Sequence, residues 1–395
     1  GSINRPGDIL LKIIDVDLVS FKVKSNMSAT KWGYSEFGPE TEKVQSFTRI
    51  KTDDGLEGYS EQGFPFYFYT PTQDEIESLV KPLLLGEDPL DRERLWQLMS
   101  RHNRFPEGLV GNIDCALWDL AGKSAGMSVS RMLGRARGAI KAYASTAPNL
   151  GDPDEYAAHA VKCKEAGYTA YKVHANIFWN PHTRQPAPGR PAFPKEDVEI
   201  CAAVREAVGN DMVLMLDPWG VYNLEESIWV GKEIEQLGYY FLEHPMHERL
   251  VEPYRKLCAE LTIPVCGPEL APGGPFVRAE WALQHATDIG RTDVNFGGIT
   301  GVKKTVDMYE SLGMKCEIHV GGSGNAQILA ATIEDTCEYY ERGLLTLDMV
   351  HTSTAPYLKE PVDPMDEQGY VSLPNGPGLG VELDWDYISS HSVDD

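Results

Sequence analysis

The sequence predicts an α/β fold, a closed parallel barrel preceded by a smaller α+β unit, and three observations carry that expectation. From residue 139 onward, short apolar runs recur at 141–146, 170–174, 212–217, 239–243, 263–269, 288–294, 315–319 and 344–349, with helical stretches between them. Eight β runs separated by helices is the pattern of a parallel barrel, with an open doubly wound sheet as the alternative. The polar residues that close the runs are evenly spaced. Asp217 to Glu243, Glu243 to Glu269 and Asp293 to His319 are 26 residues each, and Glu269 to Asp293 is 24. That is the length of one βα unit, so these side chains stand at one level. The first third reads differently, as strands followed by a block of helices.

In chain order, 9–24 and 44–59 alternate as strands, with Asp53-Asp54-Gly55 supplying a turn. Helices are expected over 72–83, 91–99 and 109–124. In the last of these, Leu109, Ile113, Ala116, Leu117 and Leu120 form one buried stripe. The interval from Lys172 to Asp217 is 45 residues, and the excess lies in 176–195. That insertion follows a strand's C-terminal end, so it is either a lid or specificity loop over the pocket or an oligomer contact or surface flap. After residue 349 the chain turns Pro-rich, and 383–388 looks like a segment returning to the first third. The expected domains are 1–135, 136–360 and 361–395.

Composition narrows the function. The chain has 395 residues, 42% hydrophobic and 24% charged, as in ordinary globular proteins. With 36 Lys and Arg against 59 Asp and Glu, the net charge is −23, which argues against nucleic acid and anionic membrane as partners. No apolar run approaches the roughly 18 residues of a membrane span. No secretory pattern opens the chain, and seven cysteines without a CxxC pair suit a reducing cytoplasm. An anionic substrate would need local positive charge to enter.

At the barrel rim, six strands aim Lys172, Asp217, Glu243, Glu269, Asp293 and His319 at one pocket. Helix caps scattered over the βα turns are the plainer explanation, but buried acids in register are costly unless something compensates them. Three carboxylates on adjacent strands make an oxygen cage suited to Mg²⁺. Zinc would call for imidazole or thiolate. By strand alternation His244 points away from Glu243, so it reads as a packing residue, as does Cys266. Lys172 and His174 lie two apart on one strand and face the same way. A lysine beside a divalent cation can lose its proton readily enough to act as a base. Across the pocket, Asp293 would fix the tautomer and orientation of His319. A metal between two bases suits abstraction of a proton next to a carboxylate, the charge being stabilised by Mg²⁺.

These residues resemble the enolase superfamily, and within it the mandelate racemase subgroup, over nearly the whole length. Ile113-Asp-Cys-Ala-Leu-Trp-Asp-Leu-Ala-Gly-Lys123 followed by Leu133-Gly134 is similar to the helix closing that family's capping domain. Leu216-Asp217-Pro, Leu242-Glu243-His-Pro and Gly267-Pro-Glu269 are similar to its metal-ligand strand ends. Asp293-Val-Asn-Phe-Gly-Gly-Ile-Thr-Gly301 and Glu317-Ile-His319 match its Asp and His strand ends. The resemblance implies a modified TIM barrel, (β/α)7β, with an N-terminal α+β capping domain. It implies Mg²⁺ on Asp217, Glu243 and Glu269, a His319–Asp293 acid/base, and commonly a homo-oligomer. Capping loops near 25–37 and 63–70, with Tyr67, Phe68 and Tyr69, would shape specificity. Glu341, or Glu338 if the local insertion shifts the register, would hydrogen-bond the substrate carboxylate.

Two positions depart from the pattern. The usual Lys-x-Lys is Lys172-Val-His174 here, which leaves open which of the two takes the proton. The frequent Asp-x-Asn is Asp217-Pro-Trp219, so an apolar wall replaces an amide against the substrate. The expected activity is dehydration of a sugar acid to a 2-keto-3-deoxy acid. A racemase, epimerase or cycloisomerase of a sugar acid is the alternative. A Schiff-base aldolase through Lys172 and a non-catalytic sugar-acid binder are the readings from other classes.

Overall fold

The computed structural model describes residues 11–29, 35–64, 69–102 and 104–393. Strand β1 (Ile13–Ala29) pairs antiparallel with β2 (Ser35–Thr52), which turns back into β3 (Glu57–Tyr59). At that turn Asp54 accepts hydrogen bonds from Thr52 Oγ1 and Leu56 N, and Gly55 takes φ 89°. The left-handed backbone explains the glycine. Helices α1 (Gln73–Glu75) and α2 (Lys81–Leu84) are joined by a π-helical stretch, Ile76–Val80. Thr72 and Glu75 open this run by satisfying each other's backbone N–H groups, a capping box.

Helices α3 (Arg92–Arg101) and α4 (Glu107–Ala125) then cover the sheet, followed by the short α5 (Val129–Leu133). The apolar stripe of α4 is buried with Ile13, Val16, Ile50, Leu95 and Trp96. Its other face meets the barrel. Asp114 accepts bonds from Thr300 N and Oγ1, and a Cβ at Gly298 would lie 2.5 Å from Asp114.

The barrel strands are β4 (Ala139–Thr146), β5 (Ala170–Val173), β8 (Val213–Leu216), β9 (Phe241–Glu243), β10 (Val265–Cys266), β11 (Gly290–Thr292), β12 (Cys316–Ile318) and β13 (Tyr340–Leu345). Seven helices lie between them: α6 (Pro153–Glu165), α7 (Pro194–Val208), α8 (Leu224–Gln236), α9 (Val251–Glu260), α10 (Gly274–Leu283), α11 (Gly298–Ser311) and α12 (Ser323–Ala330). This is a (β/α)7β arrangement. Parallel ladders run β13–β4–β5–β8–β9–β10 and β11–β12, with a single Cys266↔Ile289 bridge between the two sets. Alternation sorts the side chains. Tyr143, Ala170, Met215, Phe241, Cys266, Ile289 and Tyr339 plug the lumen, while Tyr171, Val173, Leu214 and Leu216 pack outward under the helices. Cys266 is a packing residue, as expected, and all seven cysteines are free.

The eighth strand differs from the sequence expectation. It spans Tyr340–Leu345 rather than 344–349, so Glu341 lies within it. The 176–195 insertion forms a small hairpin of β6 (Trp179–Asn180) and β7 (Gln185–Pro186). Arg184 ties it to Asp152 and Glu155 of the α6 start, and His182 to Glu196 of α7. Beyond the barrel, β14 (Tyr370–Ser372) pairs antiparallel with the start of β4. Helix α13 (Trp385–Ser390) packs Ile388 against Phe21 and Phe47 of the first sheet. Among the described residues no helix is long and apolar enough to cross a membrane.

Candidate active site

Strand ends build the site. Asp217, Asp293 and His319 each follow the last residue of a strand, Glu243 ends β9, and Glu269 stands three residues past β10. Asp217, Glu243 and Glu269 are buried, and each offers an oxygen within 4.8 Å of the other two. Like charges this close in a dry site repel strongly. Burial pushes the Glu243 carboxyl up to about 7, although Arg291 and Lys172 work against it. Three hard oxygen donors, crowded and desolvated, fit a small divalent cation such as Mg²⁺.

Imidazoles flank this cage on both sides. His174 Nδ1 lies 2.8 Å from the carbonyl oxygen of Thr146, which can only accept, so Nδ1 carries the proton. Its Nε2 is then the nitrogen turned into the pocket, 2.9 Å from Asp217 Oδ2. On the far side His319 Nδ1 is 2.5 Å from Asp293 Oδ2, and Nε2 is 2.7 Å from Glu269 Oε1. Asp293 is oriented in turn by the backbone N–H of Asn295 at 2.6 Å. Burial disfavours the His319 imidazolium, but Glu269 and Asp293 outweigh it and hold this imidazole well above its ordinary range.

Lys172, one of the two candidate bases, sits deeper than His174. It is fully buried below the rim, 2.7 Å from Glu243 and 3.6 Å from Asp217, and it is also ion-paired to Glu341. Burial alone would release its proton. Glu243 and Glu341 reverse the sign and hold the ammonium well above the usual lysine range. Glu341, which the resemblance set against the substrate carboxylate, has partners inside the barrel. Its oxygens receive Tyr143 Oη (2.8 Å), Ser145 Oγ, Val320 N (2.7 Å) and Arg291, besides Lys172. A carboxylate so engaged is an internal counter-ion with little capacity left for substrate. Glu338, the other candidate, pairs with Lys315 and Tyr240 at the opposite end of the strands.

Trp219 sits half-exposed in the turn after β8 with φ 53°, its N–H donating to Asp217 Oδ1. Its backbone thus orients a cage carboxylate. Tyr67 and Phe68 lie outside the described residues. Tyr69 turns its hydroxyl to Glu75, 2.5 Å away, and its N–H to Asn295. The capping loop is nonetheless seated on the rim, since Gln62 takes the N–H of Gly324 and gives its carbonyl to Ser323 just past His319.

Three residues of the site were not assigned to it from the sequence. Arg291, fully buried, lies 2.6 Å from Glu243. It is two residues before Asp293 on one strand, and the alternation that linked Lys172 to His174 would have found it. Glu317 stands beside it in the β11–β12 register, with no well-formed hydrogen bond to either oxygen among the described residues. His244, read as packing, has both nitrogens on carboxylates.

Burial pushes the Glu317 carboxyl up to about 8. A raised acid favours folding fully below the unfolded value near 4.5 and loses that contribution as pH climbs through 8. Glu317→Gln should therefore match the parent in melting temperature at pH 5 and exceed it by about 2 °C or more at pH 8.5. An equal difference at both pH values in paired thermal melts would show that Glu317 is not the titrating group.

Residues 155–387 match the family model described as enolase C-terminal domain-like. Residues 36–134 match that of the mandelate racemase / muconate lactonizing enzyme N-terminal domain. An arabinonate dehydratase of Saccharolobus solfataricus is 30% identical over 85% of this chain and 87% of its own length. A D-galactarolactone cycloisomerase of Agrobacterium fabrum is 27% identical over 89% and 92%. The crystal structure of D-glucarate dehydratase from Agrobacterium tumefaciens complexed with magnesium superposes with a TM-score of 0.86 at 35% identity, covering 97% of this chain and 99% of that one.

Proposed function

This chain belongs to the mandelate racemase / muconate lactonizing enzyme family of the enolase superfamily, and from that premise we propose that it is a Mg²⁺-dependent sugar-acid dehydratase. One observation carries the reading: two imidazoles stand on opposite sides of a three-carboxylate cage, His174 on Asp217 and His319 on Glu269. Asp217, Glu243 and Glu269 would hold the cation, which supplies positive charge where negative charge develops on the substrate carboxylate. His174 Nε2, its tautomer fixed by Thr146, takes the α-proton. His319, as imidazolium, gives a proton to the departing β-hydroxyl, which leaves as water. The resulting enol tautomerises to the 2-keto-3-deoxy acid. Lys172 and Arg291 hold charge inside the barrel and exchange no proton with substrate.

The arabinonate, gluconate and galactonate dehydratases among the relatives support dehydration. The cycloisomerase keeps a second outcome in view, in which the proton returns or a ring closes. The proposed division into 1–135, 136–360 and 361–395, a homo-oligomeric assembly and a cytoplasmic location belong to the same reading.

The test is a panel of mono- and diacid sugars with Mg²⁺, followed by semicarbazide-reactive product. At least one acid should yield a 2-keto product, and EDTA should abolish turnover until Mg²⁺ is restored. Isomer formation without keto acid would move the protein to the cycloisomerase reading. Turnover that survives EDTA would remove the metal from the mechanism.

A further inference from the structure

Strand alternation would turn His244 away from the pocket, yet the chain leaves the strand at this residue with φ 45° and swings the ring inward. Nδ1 then stands 2.5 Å from Glu269 Oε2, and Nε2 stands 3.1 Å from Glu248 Oε1. All three side chains are buried. Glu269 thus lies between two imidazoles, His244 on Oε2 and His319 on Oε1. Its backbone is fixed as well, because Arg278 Nη2 donates to the Glu269 carbonyl at 2.9 Å.

The loop carrying Asp217 is shaped around the same ring. Gly220 N donates to the His244 carbonyl at 2.6 Å, and a Cβ on Gly220 would fall 2.8 Å from His244 Nε2. Gly220 also has φ 72°, so the position calls for glycine twice over.

We propose that His244, braced by Glu248, is a positioning residue that sets the orientation of Glu269 as a ligand of the divalent cation. A carboxylate hung on one flexible side chain rotates freely. One whose Oε2 is held by the close charge contact with the buried His244 ring is restricted in rotation, and groups in such outer contacts typically change metal affinity 10–100-fold when removed. The inference rests on the Mg²⁺ reading above and extends it to a residue pair that need not touch substrate.

The test uses the full chain stripped with EDTA and titrated with Mn²⁺, free ion being followed by electron paramagnetic resonance and Mg²⁺ used as competitor. The parent should bind one Mn²⁺ per chain. His244→Ala should weaken binding about 10–100-fold. Glu248→Gln should weaken it less, and the double variant should be no worse than His244→Ala, because Glu248 acts through the ring. Melting temperatures of the metal-stripped variants report folding separately, and Glu248→Gln carries the test if His244→Ala does not fold.

Mn²⁺ affinities within twofold of the parent in both variants would overturn the proposal. So would a second Mn²⁺ per chain that His244→Ala abolishes, since His244, Glu248 and Glu269 would then be a metal site of their own. Glu243→Gln separates the two levels. If the parent binds no Mn²⁺, the cage reading fails along with this one. If Glu243→Gln releases the ion and His244→Ala does not, only the role of His244 fails.

Discussion

His319→Asn should lower kcat for keto-acid formation by about 10²–10⁴-fold, the range ordinarily lost with a general acid. The amide fills much of the ring's volume and can still bond Asp293, but it carries no proton that it can release and regain. Loss of the leaving-group proton does not by itself stop the step before it. If His174 removes the α-proton, His319→Asn should still exchange that proton with deuterium from solvent while eliminating no water. Mass spectrometry of recovered substrate and a keto-acid assay read the two steps separately. A kcat within tenfold of the parent would take His319 out of the mechanism. Loss of exchange together with elimination would make His319 the α-base instead.

The part of this site that could be read from sequence is the part that obeys strand geometry. Asp217, Glu243, Glu269, Asp293 and His319 recur at βα-unit spacing because each stands at the end of a strand or, for Glu269, in the turn just past it, and the structure brings them to one mouth. His244 escaped because alternation assumes an extended chain. At φ 45° the backbone has already turned, so parity with Glu243 says nothing about where the ring points. Arg291 escaped for a lesser reason, since its parity with Asp293 was available and unused. The eighth strand was displaced because its first four residues, Tyr340-Glu-Arg-Gly, carry no apolar run. Their polar groups are buried against Lys172, Arg291, Asp363 and Tyr168, partners far away in sequence that no local pattern announces.

The two positions of the Lys-x-His motif should separate cleanly into stability and chemistry. Lys172→Met removes the buried ammonium shared by Glu243 and Glu341 and leaves Arg291 as their only direct cationic partner among the described residues. Deleting one side of a buried ion pair strands the other, at a cost of about 3–5 kcal/mol. His174 lies at the rim and meets that network only through Asp217: its Nδ1–H bonds the Thr146 carbonyl, and its Nε2 faces Asp217 Oδ2. His174→Ala should therefore cost about 1–2 kcal/mol, an ordinary lost hydrogen bond and some packing, while abolishing exchange of the α-proton. Urea unfolding of the metal-stripped variants gives the first contrast, and deuterium exchange under Mg²⁺ gives the second. If Lys172→Met unfolds at the parent's midpoint and loses exchange, while His174→Ala keeps it, the ammonium is the base. Lys172 would then have to shed its proton while ion-paired to Glu243 and Glu341, so a cation held by Asp217, Glu243 and Glu269 would have to supply the charge that offsets the loss.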